Sequence, residues 1–238
     1  MSKAPAPSLV VEPTTRPDHG NPLVQALSIL AAFVLVVMQL GRLWGAAHDV
    51  AFVVAGVVAV VVGYLFADFT SGFVHFFFDR FLATDTPLIG PAFVAPFRIH
   101  HEDPLDITRH GFLPTNGTNS LVTVVPLVGL FVVDVDHVAG FFFVAMVVVA
   151  AVATFGTNQF HKWSHEPEPH RVVAWLQRRH WILPRDHHAI HHAWPHDTHY
   201  CITTGWMNAF LSRVGFWGFA AAVIGLVLRE HREPSPAE

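Results

Sequence analysis

Long apolar runs alternate with polar segments along the chain, and most of these runs are long enough to cross a bilayer as helices. The first run has 18 residues, which as a helix extend about 27 Å, close to the thickness of the hydrocarbon core. In lipid, only helices and closed barrels satisfy the backbone, so the valine-rich runs are expected to be helical. The pattern predicts an all-α integral membrane bundle of about four to five spans, formed by Leu23–Leu40, Val50–Phe66, Leu121–Val133, Val138–Phe155 and Trp206–Leu228.

Two of these runs depart from a simple span. The third is short and contains Pro126, and Asp134-Val-Asp136-His137 ends it. The last contains Asn208 and Arg213, so we expect it to begin along the membrane interface before it enters the bilayer. The predicted number of spans therefore stays between four and five, depending on this last run.

Composition agrees with a lipid environment. Hydrophobic residues make up 52% of the 238 residues and charged residues only 13%, about half the charged share usual in a soluble domain. A net charge of -4 argues against a nucleic-acid partner. The single cysteine, Cys201, excludes a disulfide framework, a cysteine-rich zinc module and a thiolate-held iron–sulfur cluster. We expect one membrane domain over residues 23–228, a disordered tail over residues 1–22 and a polar tail over residues 229–238.

The distribution of cations orients the predicted spans. Segments 79–120 and 157–200 together carry eight of the 14 lysines and arginines, whereas the turns on the other side carry a single arginine. The positive-inside rule places both segments in the cytoplasm, and an even number of spans separates each from the N-terminal tail. We interpret Arg98, Arg109 and Arg185 in these segments as cytoplasmic anchors rather than as ligands of a lipid phosphate.

Histidine is unusually frequent, since its 18 copies outnumber the 14 lysines and arginines. Fourteen of them are His75 or lie in the two cytoplasmic segments, so the predicted topology brings them to one face of the membrane. His161 and His165 form an i, i+4 pair, which places both rings on one face of a helix. In the run His187-His188-Ala-Ile-His191-His192, all four rings fall on one continuous helical arc. The sequence therefore predicts a cytoplasmic, histidine-rich helical cap on the bundle.

These spacings are typical of metal ligands. Clustered imidazoles repel one another when protonated and lose solvation when buried, and a bound cation relieves both problems. A third pair, His100-His101, precedes a proline, and we interpret Asp68 and Asp79, which flank His75, as carboxylates that orient metal-bound imidazoles.

The number of converging histidines bears on the kind of centre. At least eight of them meet, enough for two ions, whereas a hydrolytic zinc site needs only three protein ligands. The HExxH motif is absent from the sequence. Imidazole suits iron, zinc and copper alike, so spacing alone does not choose the metal. The number of ligands and their placement at a membrane favour a two-iron, oxygen-activating centre.

Over about residues 64–210, the chain resembles the Kua-type lipid desaturase family. The matching motifs are Asp68 to His75, Pro96 to Pro104, Ile107 to His110, Asn158 to His165, Leu183 to His192 and Pro195 to Trp206. The resemblance implies a membrane desaturase domain over residues 23–228 that uses dioxygen, two iron ions and an external electron donor such as cytochrome b5 or ferredoxin. It implies eight metal ligands, which are His75, His100, His101, His161, His165, His188, His191 and His192. Further ligands or orienting residues are implied at His110, His187, His196, Asp68, Asp79 and Asn158.

The reaction implied by the resemblance is oxidation of the ether-linked alkyl chain of a plasmanyl phospholipid to a vinyl ether, which gives a plasmalogen. A plant branch of the family acts instead on acyl chains of phosphatidylglycerol, so the lipid substrate stays open. Hydroxylation by the same kind of centre and a membrane zinc amidohydrolase are further alternatives. A histidine-rich metal transporter is another, but it predicts polar residues in several spans, and the first and fourth runs contain almost none.

Overall fold

The structure is a computed structural model that describes residues 21–47, 49–87, 89–90 and 94–230. The regular secondary structure of this part of the chain is helical, as the sequence predicts. Most of the predicted tail over residues 1–22 and most of that over residues 229–238 lie outside the described residues, and α1 begins at Pro22, within the predicted tail. The α-helices are α1 (Pro22–Ala46), α2 (Val50–Phe81), α3 (Ala95–Glu102), α4 (Phe112–Gly129), α5 (Val138–His165), α6 (Arg171–Arg178), α7 (Arg185–His191), α8 (Trp206–Arg213) and α9 (Phe216–Ile224).

Helices α1, α2, α4 and α5 are long and apolar enough to cross a membrane, α4 together with the 3-10 turn Leu130–Val132 that follows it. Helices α8 and α9 form a fifth candidate span that is bent by 72°. The bend lies at Gly215, which caps the start of α9 with a φ of 67°, a conformation that most side chains disfavour. The described residues thus hold four spans, or five if the bent pair counts as one, in agreement with the predicted bundle.

All four long helices are longer than the apolar runs that predict them, and α2 and α5 extend farthest past the carboxyl ends of their runs. Helix α2 has 32 residues and α5 has 28, which correspond to about 48 Å and 42 Å against a hydrocarbon core of about 30 Å. Helix α2 thus runs 15 residues past Phe66, and α5 runs 10 residues past Phe155, so each apolar run marks only part of its helix. The helices continue because their polar residues, among them Asp68 and His161, are buried against other parts of the protein instead of facing lipid.

The spans pack as pairs, with α2 along α5 and α1 along α4, and α4 also contacts α5. The α2–α5 contact is close, because a Cβ atom added at Gly63 would lie 2.9 Å from the Cβ of Val149. Small residues allow membrane helices to approach in this way. Nearer the start of both helices, Phe52 and Phe141 meet edge to face with ring centroids 5.2 Å apart. This packing brings the carboxyl ends of α2 and α5 to the same end of the bundle.

At the opposite end of the bundle, side chains of α1 satisfy the carbonyl groups where α4 finishes. Gln39 is fully buried and donates from Nε2 to the Leu127 carbonyl at 2.9 Å. Arg42 donates to the carbonyls of Leu130 at 3.0 Å and Val133 at 2.7 Å. The last carbonyls of a helix lack partners within it, and in lipid they need donors from elsewhere. Arg42 therefore has a structural role at the end of α4.

The segment before α8 is held tightly against α2. Thr203 and Thr157 share a hydrogen bond of 2.7 Å between their hydroxyl groups, which ties this segment to α5 as well. A Cβ atom added at Gly72 of α2 would lie 3.0 Å from the backbone nitrogen of Cys201 and would overlap its Sγ. Glycine at position 72 thus permits the close approach that fixes residues 200–205 over the end of the bundle.

Candidate metal centre

Five histidines from three helices form a first group at the carboxyl end of α5. Their donor atoms all lie within 4.8 Å of one another. The Nε2 atoms of His161 and His188 are 2.8 Å apart, and that of His188 lies 3.0 Å from the Nε2 of His192. The Nε2 of His192 is in turn 3.1 Å from that of His100. His165, one turn beyond His161, completes the group.

A second group combines three histidines with a carboxylate and is centred on Asp79 at the end of α2. The Asp79 Oδ2 atom lies 3.4 Å from the Nε2 of His75, 3.6 Å from that of His191 and 3.8 Å from that of His101. The Nε2 atoms of His101 and His191 are 3.1 Å apart. Four donor atoms from α2, α3 and α7 therefore converge on one point.

The two groups adjoin because neighbouring residues divide between them. His100 of α3 belongs to the first group and His101 to the second, and His192 and His191 divide in the same way at the end of α7. Rings meet across the boundary, with centroids 5.6 Å apart for His101 and His192. Residues one apart on a helix point about 100° apart, so each adjacent pair can face two neighbouring sites. This arrangement is suited to two metal ions side by side.

The donor atoms of the first group cannot satisfy one another. A neutral imidazole has one N–H, yet the Nε2 of His188 faces two other Nε2 atoms. Several further nitrogens are buried without a hydrogen-bond partner in the described part of the chain, namely the Nδ1 atoms of His100, His188 and His192 and the Nε2 of His165. Buried polar atoms without partners are costly, and the converging Nε2 atoms can be satisfied together only by a group that lies between them.

Protonation does not supply that partner. Burial, followed by repulsion from His161 and His192, holds the pKa of His188 well below its usual value. Burial and the neighbouring His165 lower the pKa of His192 to about 3. Neutral imidazoles with converging lone pairs are metal ligands, and separations of 2.8–3.1 Å suit nitrogens about 2.0–2.2 Å from one ion. The residues present thus fit a metal ion in each group.

Backbone carbonyls hold two of the imidazoles in the second group. The Nδ1 of His75 lies 3.2 Å from the carbonyl of Tyr200, and the Nδ1 of His191 lies 2.8 Å from that of Thr198. A carbonyl only accepts, so each Nδ1 carries the proton and each Nε2 is left free to bind a metal. The roles of Thr198 and Tyr200 are not visible in the sequence, because a residue of any type can supply a main-chain carbonyl acceptor.

Two of the histidines implied as further ligands or orienting residues, His196 and His110, lie outside both groups. The His196 ring stacks on His101, with centroids 4.4 Å apart and an angle of 8° between the planes. Its Nδ1 lies 3.1 Å from the His191 carbonyl, so it supports ligands of the second group. His110 is farther away and pairs with Asp106 at 3.0 Å.

His187 lies outside both groups, although it belongs to the same motif as His188, His191 and His192. Its Nε2 lies 3.0 Å from the Nδ2 of Asn208, and its ring contacts His199, with centroids 5.0 Å apart. His187 begins the motif and lies at one edge of the arc that the four rings span. His188, His191 and His192 therefore enter the groups and His187 does not.

Asn158 and Asp68 hold the framework around the groups. Asn158 donates from Nδ2 to the Thr115 carbonyl at 3.1 Å and so joins α5 to α4. Asp68 is fully buried and accepts backbone N–H groups from Thr204 at 2.7 Å, Gly205 at 2.9 Å and Met207 at 2.9 Å. It thereby caps α8 and fixes the segment before it.

Replacing Asp68 by asparagine is expected to lower the apparent unfolding temperature of the purified protein. The amide keeps one acceptor oxygen and directs N–H groups toward backbone donors, a loss of about 2 kcal/mol or more. Thermal unfolding in detergent measures it. Asp49→Asn is the matched control, because Asp49 caps α2 and asparagine caps a helix equally well. An unchanged unfolding temperature in Asp68→Asn would show that Asp68 does not fix residues 204–207.

Comparison with known proteins agrees with this geometry. Residues 64–232 match the lipid desaturase domain family. The chain is 40% identical over 207 residues to a plasmanylethanolamine desaturase of Myxococcus xanthus, covering 86% of this chain and 73% of that protein. It is 46% identical over 168 residues to plasmanylethanolamine desaturase 1 of Mus musculus, covering 68% and 62% of the two chains.

The chain is also similar to a plant desaturase. The chain is 36% identical over 155 residues to the chloroplastic fatty acid desaturase 4 of Arabidopsis thaliana, covering 61% of this chain and 45% of that protein. No solved structure matches the chain. The resemblance drawn from the sequence motifs is confirmed over most of the chain.

Proposed function

The chain belongs to the lipid desaturase domain family and is an integral membrane desaturase, and we propose that it oxidises the alkyl ether chain of a plasmanyl phospholipid to a vinyl ether at a di-iron centre. The observation that carries this proposal is the pair of adjoining donor groups at the carboxyl ends of α2 and α5. The names of the relatives from Myxococcus xanthus and Mus musculus support a plasmanylethanolamine lipid as the substrate.

The eight histidines predicted as ligands all lie in the two groups, together with Asp79. We propose that the five histidines of the first group hold one iron ion and that the other three, with Asp79, hold the second. Iron accepts imidazole and carboxylate ligands together. When bound, the two ions supply the activation of dioxygen that breaks an unactivated C–H bond.

The proposed reaction balances with an external reductant. Two hydrogen atoms leave adjacent carbons of the alkyl chain, and a carbon–carbon double bond forms beside the ether oxygen. Dioxygen is reduced to two molecules of water, which takes those two hydrogen atoms together with two electrons and two protons from a donor. We propose cytochrome b5 or ferredoxin as the class of donor.

The protein's own residues position the chain and exclude water. His75 and His191 are fully inaccessible, and His188 is 1% exposed, so bulk solvent does not reach the donor atoms. Exclusion of water protects a reactive centre from side reactions. The carbonyls of Tyr200 and Thr198 keep the Nε2 atoms of His75 and His191 directed at the centre throughout turnover.

We place the centre on the cytoplasmic side of the membrane. The cation-rich elements α3, α6 and α7 lie at the same end of the bundle as the two groups. Lys162 at this end donates to the His110 carbonyl at 2.5 Å, and Arg42 lies at the opposite end. The positive-inside rule then supports a cytoplasmic centre.

A vinyl-ether assay tests the proposal. Purified, iron-loaded protein is given a plasmanyl phospholipid and an electron donor, with and without dioxygen, and acid-labile aldehyde released from the lipid is measured. We expect aldehyde only when dioxygen and the donor are both present. An alkyl chain that carries a new hydroxyl group, with no vinyl ether, would overturn the proposed desaturation in favour of hydroxylation.

A phosphatidylglycerol acyl substrate is the second candidate, because the Arabidopsis thaliana relative is named as a fatty acid desaturase. The same assay with diacyl phosphatidylglycerol distinguishes the two, since a new double bond in an acyl chain leaves the lipid acid-stable. Desaturation of this lipid alone would overturn the ether-lipid proposal.

A further inference from the structure

A cavity of about 620 Å³ opens to the surface at the carboxyl end of α2. It lies between the end of α2, helix α9 and the residues that follow α9. One wall consists of small residues of α9 and its end, among them Gly218, Ala222 and Gly225. The other wall carries the charged side chains of Arg80, Arg229 and Glu230.

The cavity is separated from the donor atoms by two aromatic side chains. The Arg80 guanidinium lies over the Phe76 ring, 5.7 Å from its centroid. The Phe76 ring contacts the Tyr200 ring, with centroids 5.3 Å apart. The Tyr200 ring in turn contacts that of His191, a residue of the second donor group, with the same centroid separation. Arg80 also follows Asp79 directly in the chain. Three successive contacts, through the fully buried rings of Phe76 and Tyr200, thus connect Arg80 in the cavity wall to the second donor group.

The charge in the cavity suits an anion. Two arginines face one glutamate, and the Glu230 carboxylate forms an ion pair with Arg80. Both partners are largely shielded, with side chains 15% and 29% exposed. A carboxylate held on a guanidinium in this way occupies the position that a phosphate oxygen would take, because both anions accept the same paired N–H donors.

The three arginines interpreted as cytoplasmic anchors each contact protein groups in the structure. Arg109 pairs with the carboxylates of Asp103 and Asp106 on an exposed surface. Arg98 donates to the Asp79 carbonyl at 2.6 Å, and Arg185 lies 3.4 Å from the carbonyl of Pro167. These contacts agree with a structural role for all three residues.

We propose that this cavity binds the headgroup phosphate of the lipid substrate, with Arg80 as the binding residue and the Glu230 carboxylate displaced when the lipid enters. The inference rests on the proposed function, because only the glycerol backbone separates the phosphate of a plasmanyl lipid from the ether oxygen beside which the double bond forms. A phosphate site must therefore lie close to the centre. The small residues of α9 leave room for the glycerol and the start of the chain beside Arg80.

Two substitutions with opposite expected effects test the proposal. Binding to wild-type, Arg80→Gln and Glu230→Gln protein is measured for a plasmanyl phospholipid and for the 1-alkyl-2-acylglycerol that lacks the phosphate. We expect wild type to prefer the phospholipid about tenfold or more, and Arg80→Gln to lose this preference. Glu230→Gln, which removes the competing carboxylate, should bind the phospholipid about threefold more tightly. Equal weakening by both substitutions would indicate a purely structural ion pair and would overturn the proposal.

A third variant tests the cavity without disturbing the ion pair. A Cβ atom added at Gly218 meets nothing within 4 Å, and leucine favours a helix more than glycine does. Gly218→Leu should therefore fold normally, fill the cavity and weaken binding of both lipids about tenfold. Unchanged binding in this variant would contradict the proposal.

Arg213→Gln is the matched control, since Arg213 is exposed and does not line the cavity, and its binding should equal that of wild type. The binding data separate this inference from the proposed reaction. Absence of vinyl ether with normal phosphate preference overturns only the reaction, and an equal effect of Arg80→Gln on both lipids overturns only the site. Inorganic phosphate serves as a competitor, and lipid binding that it abolishes at millimolar concentration would indicate a free-phosphate site instead.

Discussion

His188→Ala is expected to remove the metal of the first group and to reduce desaturation at least about 100-fold. His188 stands at the centre of that group, since its Nε2 lies 2.8 Å and 3.0 Å from the Nε2 atoms of His161 and His192. Its removal leaves the other imidazoles without the ligand that joins them. Metal content per chain and turnover of the ether lipid measure the two effects.

His187→Ala is the matched control for this substitution. His187 is the preceding residue of the same motif, and its ring faces Asn208 and His199 rather than the groups. The variant should keep its full metal content and most of its activity. Equal metal loss in the two variants would contradict the assignment of His188 and His187 to different surroundings.

Asp79→Asn is expected to empty the second group and to leave the first occupied. The Oδ2 atom of Asp79 is the point on which the Nε2 atoms of His75, His101 and His191 converge. An amide of the same size carries no charge to balance a cation and is a weaker ligand for iron. We expect the metal content to fall from two ions to one per chain, with activity lost by at least about 100-fold.

Asp106→Asn provides the comparison for Asp79→Asn. Asp106 lies at the same end of the bundle and pairs with His110 and Arg109 outside both groups. The same chemical change there should leave two ions bound. Full metal content in Asp79→Asn would show that this carboxylate is not a ligand.

Hydrophobicity alone was sufficient to predict the bundle and the approximate spans. The apolar runs alone did not mark the ends of α2 and α5, because an apolar run indicates only the part of a helix that contacts lipid. Asp68, His75 and His161 continue these helices past the lipid and are buried by other elements of the protein. A polar residue buried in protein and one exposed to water look identical in a sequence.

The histidines that meet were predictable from spacing and motif resemblance, but their division was not. The rotation of α3 against α5 and α7 decides that His100 faces the first group and His101 the second. The same holds for Asp79, for which the sequence left a ligand role and an orienting role both open, and which lies among the donor atoms of the second group. Tyr200 and Arg80 acquire their positions from tertiary contacts alone, so no local pattern could mark them.

Metal analysis of the purified protein tests the central claim most directly. Elemental analysis, combined with Mössbauer spectra of protein loaded with iron-57, counts the ions and reports whether two irons are coupled. We predict two iron ions per chain in adjoining sites, and one in Asp79→Asn. A single zinc ion per chain, with no binding of a second metal, would contradict the account.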